Sequence, residues 1–278
     1  MPTTANNHAT VTARLRAAGC VFAEEEAQLL IEAAHSEIEL DRMIEQRALG
    51  IPLEQIVGWA AFCGLRIAVE PGVFVPRRRT EYLVQEAVRV ARPGAVVVDL
   101  CCGSGAVGAA LAAFLGGTGT PGGTGTLGGI ELHAADVEPA AVRCARRNIE
   151  PFGGHVHEGD LYAALPDTLR ERVDVLVANA PYVPTDSIGM MPPEARLHEP
   201  FVALDGGADG LDVQRRVVAG ASSWLAPGGH LLIETSRGQA STTAALFERA
   251  GLGAGVHRSE EFDATVVIGK ARVIGKAP

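Results

Sequence analysis

The stretch Ala95-Val96-Val97-Val98-Asp99-Leu100-Cys101-Cys102-Gly103-Ser104-Gly105-Ala106-Val107-Gly108 decides the fold. Residues 95–100 form a nearly continuous apolar run, which reads as a parallel strand covered on both faces. Three glycines follow in the spacing G-x-G-x-x-G, and then a helical pattern from Ala106 to Leu115. Working outward, strand and helix patterns alternate. Strands are predicted at 130–136, around Val156, and at 173–178, 231–234 and 265–268. Helices are predicted at 139–148, 211–225 and 242–250. That βαβ alternation predicts an α/β fold, a doubly wound and mostly parallel sheet.

The glycine loop taken alone matches a dinucleotide-binding fingerprint. Its neighbours point elsewhere. Asp99 ends the first strand four residues before Gly103. A carboxylate there would repel a pyrophosphate, whereas it could accept from a ligand ammonium or brace the glycine loop. S-adenosylmethionine (SAM) carries an ammonium, a sulfonium and no phosphate. Asp136 ends the second strand and suits the hydroxyls of a ribose, a role shared by both cofactor classes.

A second motif follows the buried run 173–178: Asn179-Ala180-Pro181-Tyr182. In an open α/β sheet, ligands sit at the carboxyl ends of the strands, so Asn179 belongs to the same rim as Gly103 and Asp136. An amide or amino nitrogen is a poor nucleophile because its lone pair is delocalised. Two acceptors, the Asn179 side-chain oxygen and the Ala180 carbonyl, could hold an NH2 group by its protons and aim that lone pair. Pro181 stiffens the loop, and Tyr182 offers a ring wall.

The rest of the chain bounds the function. Hydrophobic residues make up 47% of the 278, which excludes a largely disordered chain. The net charge is −9, and no half is basic: residues 1–92 carry 10 basic and 12 acidic side chains, the remainder 14 and 21. That balance argues against extended nucleic-acid binding. The five cysteines form no metal-binding spacing and read as reduced thiols, so no metal is expected. With no signal-like segment and no apolar run long enough to span a membrane, the chain reads as cytoplasmic, without a membrane partner. Residues 1–7 read as a loose tail, and 10–49 as two or three helices closed by Gly50 and Pro52. A hairpin linker follows, with a strand at 65–69, and then a helix at 80–90. Residues 116–129 hold eight glycines in fourteen positions and read as a surface insert. Arg77-Arg78-Arg79 is the one basic run. It reads as a solvated face or a link to the acidic helical part, or alternatively as a contact for ribosomal RNA or an acidic partner.

These motifs resemble the HemK/PrmC family of protein-(glutamine-N5) methyltransferases, which modify peptide chain release factors. Four blocks between about Arg47 and Lys270 carry the resemblance: 51–65; Phe74-Val75-Pro76-Arg77-Arg78-Arg79-Thr80-Glu81; the two rim motifs; and 199–212, from Glu199-Pro200 to Gly210-Leu211-Asp212. The last block is the most specific, because Asn-x-Pro-Tyr is shared with other methyltransferases. The resemblance implies a Rossmann-like, seven-stranded SAM-dependent methyltransferase domain at 76–278, a helical substrate-recognition domain at 1–52 and a hairpin linker at 53–75. It implies that Cys101, Cys102, Gly103, Ser104 and Gly105 line the methionine part of SAM. Asp136 takes the ribose, Leu161 lies near the adenine, and Asn179 touches both ligands. Asn179, Ala180, Pro181 and Tyr182 hold the target glutamine, with Phe74 as a wall. The chain departs from the family at Cys101 and Cys102, where Gly or Thr is usual, at Ala180 for the first proline, and at Arg78 and Arg79 for a Pro-acid pair. Three other readings remain at this stage: an exocyclic-amine methyltransferase acting on RNA or DNA, a SAM-binding partner protein without catalysis, and an NAD dehydrogenase.

Overall fold

A computed structural model describes residues 4–116 and 129–273. Most of the glycine-rich stretch, 117–128, lies outside the described residues. Three helices open the chain: α1 (Thr4–Ala17), α2 (Ala23–Ala33) and α3 (Glu37–Ala48). The first begins at Thr4, inside what reads as a tail. Their apolar faces meet in a small core of Val11, Leu15, Ala23, Ala27, Leu30, Leu40, Met43 and Ile44. The acids Glu24, Glu25 and Glu26 sit in the first turn of α2, where the helix dipole favours them. Ser36 caps α3, its hydroxyl accepting from the Glu39 N–H at 3.2 Å.

A short helix, α4 (Leu53–Val57), precedes the hairpin of β1 (Trp59–Phe62) and β2 (Leu65–Ala68). Five residues carry too little periodicity for α4 to be read from sequence. Asn148 ties the hairpin to the main domain: its amide accepts from the Ala68 N–H and donates to the Ala68 carbonyl, both at 2.9 Å.

The remaining elements are α5 (Glu81–Val90), β3 (Val96–Leu100), α6 (Ala106–Leu115), β4 (Glu131–Asp136), α7 (Pro139–Ile149), β5 (His155–Glu158), β6 (Val173–Ala178), α8 (Pro193–His198), α9 (Asp212–Ala221), β7 (Leu225–Thr235), α10 (Ala240–Arg249), β8 (Gly253–Ser259) and β9 (Ala264–Lys270). The strands make a seven-stranded sheet in the order β5-β4-β3-β6-β7-β9-β8. All neighbours pair in parallel except β9, which runs antiparallel to β7 and β8. The doubly wound sheet expected from sequence is present. β8 was not expected, because its residues, Gly-Ala-Gly-Val-His-Arg-Ser, are half-exposed at a sheet edge and lack an apolar run.

Every residue of β3 is buried. Val97 faces a core with α5, α6 and α7, while Val96, Val98 and Leu100 face the opposite core with α9 and α10. From β3 the chain winds one way through β4 to β5, and from β6 the other way to β7. The winding direction therefore changes between β3 and β6, which opens a crevice at their carboxyl ends.

At the other edge, His133 of β4 and His157 of β5 stack with centroids 5.2 Å apart and share a ring-nitrogen hydrogen bond of 2.9 Å. Burial, the leading cause, holds both below the usual histidine range. The folded state therefore favours the neutral rings. The stability they contribute is present above the unfolded value of about pH 6.5 and is lost as pH falls. Taken from about pH 7.5 to about pH 5.5 in urea titrations, the wild-type midpoint is expected to fall further than that of His157→Gln. Equal losses in the two proteins would show that this pair does not titrate with folding.

Candidate active site

The crevice opens into a cavity of about 750 Å³ at the carboxyl ends of β3, β4, β6 and β7. Phe74, Asp99, Cys101, Cys102, Gly103, Ser104, Asp136, Leu161, Asn179, Ala180, Pro181 and Tyr182 all line it. Residues spread over more than one hundred positions of sequence are brought to one wall, as the two rim motifs predict. Gly105 is the one site residue expected from sequence that does not line the cavity. It takes φ +78 at the start of α6, and a Cβ there would come within 3.0 Å of the Ala145 backbone. Its small size serves the packing of α6 on α7.

The glycine loop is held by carboxylates. Asp99, 1% exposed, accepts from the Gly108 N–H at 3.0 Å, spanning from the end of β3 to the first turn of α6. Asp136 accepts from the Gly103 N–H at 2.8 Å and from the Glu138 N–H at 3.0 Å. Burial is the main cause that raises Asp99, to about 7, with Asp136 adding to it, and burial also raises Asp136. Two amides that a bound phosphate would need are thus given to the protein's own acids. A pyrophosphate does not fit this loop, whereas a cationic ligand with ribose hydroxyls does. The SAM reading therefore passes a test that the dinucleotide reading fails.

Cys101 adopts φ 57, and both it and Cys102 have thiol pKa values pushed up by burial and then by Asp136 and Asp99. They are small neutral wall residues, since a nucleophilic cysteine needs a depressed pKa. Leu161 follows Asp160, whose carboxylate pairs with Arg216 at 2.5 Å, and turns an apolar side chain to the cavity.

At the end of β6, the Asn179 Nδ2 donates to the Thr80 hydroxyl at 3.2 Å. The Tyr182 hydroxyl donates to Glu234 at 3.3 Å, and burial first, then Glu234, pushes its pKa up to about 12. Tyr182 therefore stays a neutral phenol. The tetrapeptide's far side rests on residues 204–211. Val183, the residue after the tetrapeptide, donates its N–H to the Leu204 carbonyl and accepts from the Gly206 N–H, and Gln239 donates to the Tyr182 carbonyl at 3.0 Å. Gly210, at φ +76, allows the close approach: a Cβ there would lie 2.3 Å from the Tyr182 oxygen.

Four residues in this wall were not legible as functional. Thr80 and Glu234 touch the tetrapeptide, and Arg77 pairs with Glu199 at 2.6 Å while its guanidinium covers the Phe74 ring at 5.2 Å. The basic run is thus not a link to the helical domain: Arg78 lies over Phe262 and Arg79 lines the cavity. Glu234 had a signal. Like Asp99 and Asp136, it is an acid at or one residue before the carboxyl end of a strand. Thr80 lies in a block that carries the family resemblance, but nothing local marks its contact, because its partner is 99 residues away.

No protein-family model matches the chain. A release factor glutamine methyltransferase of Geobacter sulfurreducens is 40% identical over 211 residues, 75% of this chain and 69% of that protein. One from Mycolicibacterium smegmatis is 36% identical over 263 residues, 86% of this chain and 87% of the other. A 4-amino-L-phenylalanine/4-methylamino-L-phenylalanine methyltransferase of Streptomyces pristinaespiralis is 36% identical over 215 residues, 75% of this chain and 70% of that one. Among solved structures, a methyltransferase from Pyrococcus furiosus superposes with a TM-score of 0.54 at 16% identity. It covers 76% of this chain and 90% of its own, and shares the fold.

The glycine contacts predict a sharp contrast in stability. Gly210→Ala is expected to destabilise by about 1–3 kcal/mol, from strain and overlap. Gly189→Ala, where an added Cβ meets nothing within 4 Å, is expected within about 0.5 kcal/mol of wild type. Urea unfolding of both variants measures the difference, and similar midpoints would refute the close-approach argument.

Proposed function

Because this chain belongs to the family of release factor glutamine methyltransferases, we propose that it methylates the side-chain amide nitrogen of a glutamine in a peptide chain release factor. The observation that carries this is the placement of Asn179-Ala180-Pro181-Tyr182 on one cavity wall with a glycine loop whose amides are spent on carboxylates. SAM supplies the methyl group, carried on a sulfonium.

This chain's residues orient the acceptor. The Asn179 Nδ2 is spent on Thr80, which leaves Oδ1 to accept one proton of the glutamine NH2. The Ala180 carbonyl accepts the other. Replacing proline by alanine at 180 removes a ring and keeps that carbonyl. Held at both protons, the nitrogen presents its lone pair across the cavity. The same two oxygens stabilise positive charge as it grows on nitrogen. A neutral Tyr182 is no base at neutral pH. None is needed, because the N-alkylated amide cation is strongly acidic and gives its proton to water. Phe74 and Tyr182 wall the planar amide and exclude water from it.

The three-helix part, with its own core, is proposed to recognise the protein substrate. Residues 1–52, 53–75 and 76–278 serve as recognition, linker and catalytic units. A release factor places the work in the cytoplasm. Among the described residues no helix is long and apolar enough to cross a membrane, and no side-chain group is suited to a metal ion. The likeness to the amino-acid methyltransferase makes a free aromatic amine the competing acceptor.

Incubation with methyl-labelled SAM and either a release factor or 4-amino-L-phenylalanine, read by mass spectrometry, tests the assignment. Label is expected on one glutamine. Asn179→Ala is expected to lower kcat about 100-fold, or about 2.7 kcal/mol, while SAM affinity by calorimetry stays within about twofold. Label on the free amine alone, or full transfer by Asn179→Ala, would overturn the reading.

A further inference from the structure

The carboxyl rim of the sheet does not end at β7. Strand β9 runs antiparallel to it, so the first residues of β9 lie beside the last of β7. Thr235 pairs with Thr265, and Thr265 pairs in turn with Arg258 near the end of β8. A second hollow, of about 470 Å³, sits on this extension of the rim. Arg79, Arg237 and Arg258 line it, and it shares Arg79, Tyr182 and Glu234 with the main cavity. One wall of the acceptor site is therefore also a wall of the hollow.

Nothing in the protein occupies the three guanidiniums. Each arginine is exposed, and each sits on a separate element: before α5, after β7 and near the end of β8. Among the described residues, none of the three makes an ion pair or a side-chain hydrogen bond. Glu260 and Asp263 line the same hollow without pairing to them. Arg79 acts electrostatically on Tyr182 and Glu234, again without a bond. In a chain of net charge −9, three cations from distant positions thus converge beside the acceptor wall. A guanidinium presents a planar fork that matches a carboxylate with two parallel bonds. Glu260 and Asp263 set two negative charges among the positive ones, which suits one added carboxylate better than a chain of phosphates.

We propose that this hollow is a carboxylate-binding subsite, which takes an acidic side chain of the protein substrate close in sequence to the glutamine held at Asn179–Tyr182. The idea rests on the proposed function, because it is the acceptor wall that says which molecule reaches the hollow. An acid seated there fixes the direction in which the polypeptide crosses the tetrapeptide. The contacts are exposed and screened by salt, so they act on affinity and register more than on the chemical step.

The double variant Arg237→Gln/Arg258→Gln empties the hollow of two cations and spares Arg79, which also lines the acceptor cavity. With the full chain, labelled SAM and a release factor, it is expected to raise the KM for the release factor at least about fivefold, more than it lowers kcat, with the KM for SAM within about twofold. Arg249→Gln, an exposed cation at the end of α10 that lines neither hollow, controls for lost charge and is expected to match wild type. On the substrate side, each acid near the methylated glutamine is changed to its amide. One such change is expected to reproduce the rise in KM with wild-type enzyme and to add little to the double variant. Charge reversal supplies a gain of function: Arg258→Glu is expected to recover affinity when that same acid is changed to lysine. An unchanged KM in the double variant, or a rise that no acid of the substrate reproduces, would overturn the subsite. So would a loss confined to 4-amino-L-phenylalanine, which would give the hollow to a free α-carboxylate. A labelled glutamine with an unchanged KM sinks the subsite alone, whereas no labelled glutamine with wild type sinks the proposed function and the subsite with it.

Discussion

The bond from the Gly103 N–H to the Asp136 carboxylate is the constraint on which the rest of the site depends. It crosses between two adjacent strand ends and pins the glycine loop to β4. The Asp99 bond to Gly108 does the same for the first turn of α6. Together they commit to the protein's own acids two amides that a bound phosphate would need. The G-x-G-x-x-G spacing is silent on this, because the glycines only permit the turn. The acids at the strand ends decide what the turn can hold.

The tetrapeptide is positioned from the opposite direction. Its Tyr182 carbonyl is held by Gln239, the next residue, Val183, is bonded to Leu204 and Gly206, and its side chains are held by Thr80 and Glu234. The glycines at 206, 207 and 210 do not line the cavity. They let the chain approach itself: a Cβ at 207 would sit 1.9 Å from the Asp212 carboxylate, and one at 206 would sit 2.6 Å from the Gly210 carbonyl. A block that is distinctive in sequence thus earns its pattern by supporting the reactive loop from behind.

Much of this was legible in the sequence, for a physical reason. The covered strands at 96–100 and 173–178 announce themselves as apolar runs, and their carboxyl ends must carry the site in a doubly wound sheet. So Asp99, Asp136 and Asn179 could be placed together without coordinates. What could not be read depends on contacts distant in sequence. Thr80 meets Asn179 across the fold, and Arg77 meets Glu199 122 positions away. Gly105 packs toward α7 and does not line the cavity, and a loop motif does not show which glycine faces a ligand and which faces a helix. β8 went unseen because an edge strand needs no apolar face.

A cation, Arg47, joins the helical bundle to the cavity wall. Arg47, 11% exposed at its side chain, pairs with Glu26 of α2 at 2.6 Å and with Glu194 of α8 at 3.3 Å, and donates to the Ile51 carbonyl. Glu194 itself lines the cavity. The guanidinium, a rigid fork with five donors, can hold two acids and a carbonyl at fixed angles where an ammonium would swivel. A partly buried network of this kind sets geometry more than it adds stability, because desolvation offsets much of the charge attraction. Its effect is to fix the bundle against the segment that walls the reactive loop.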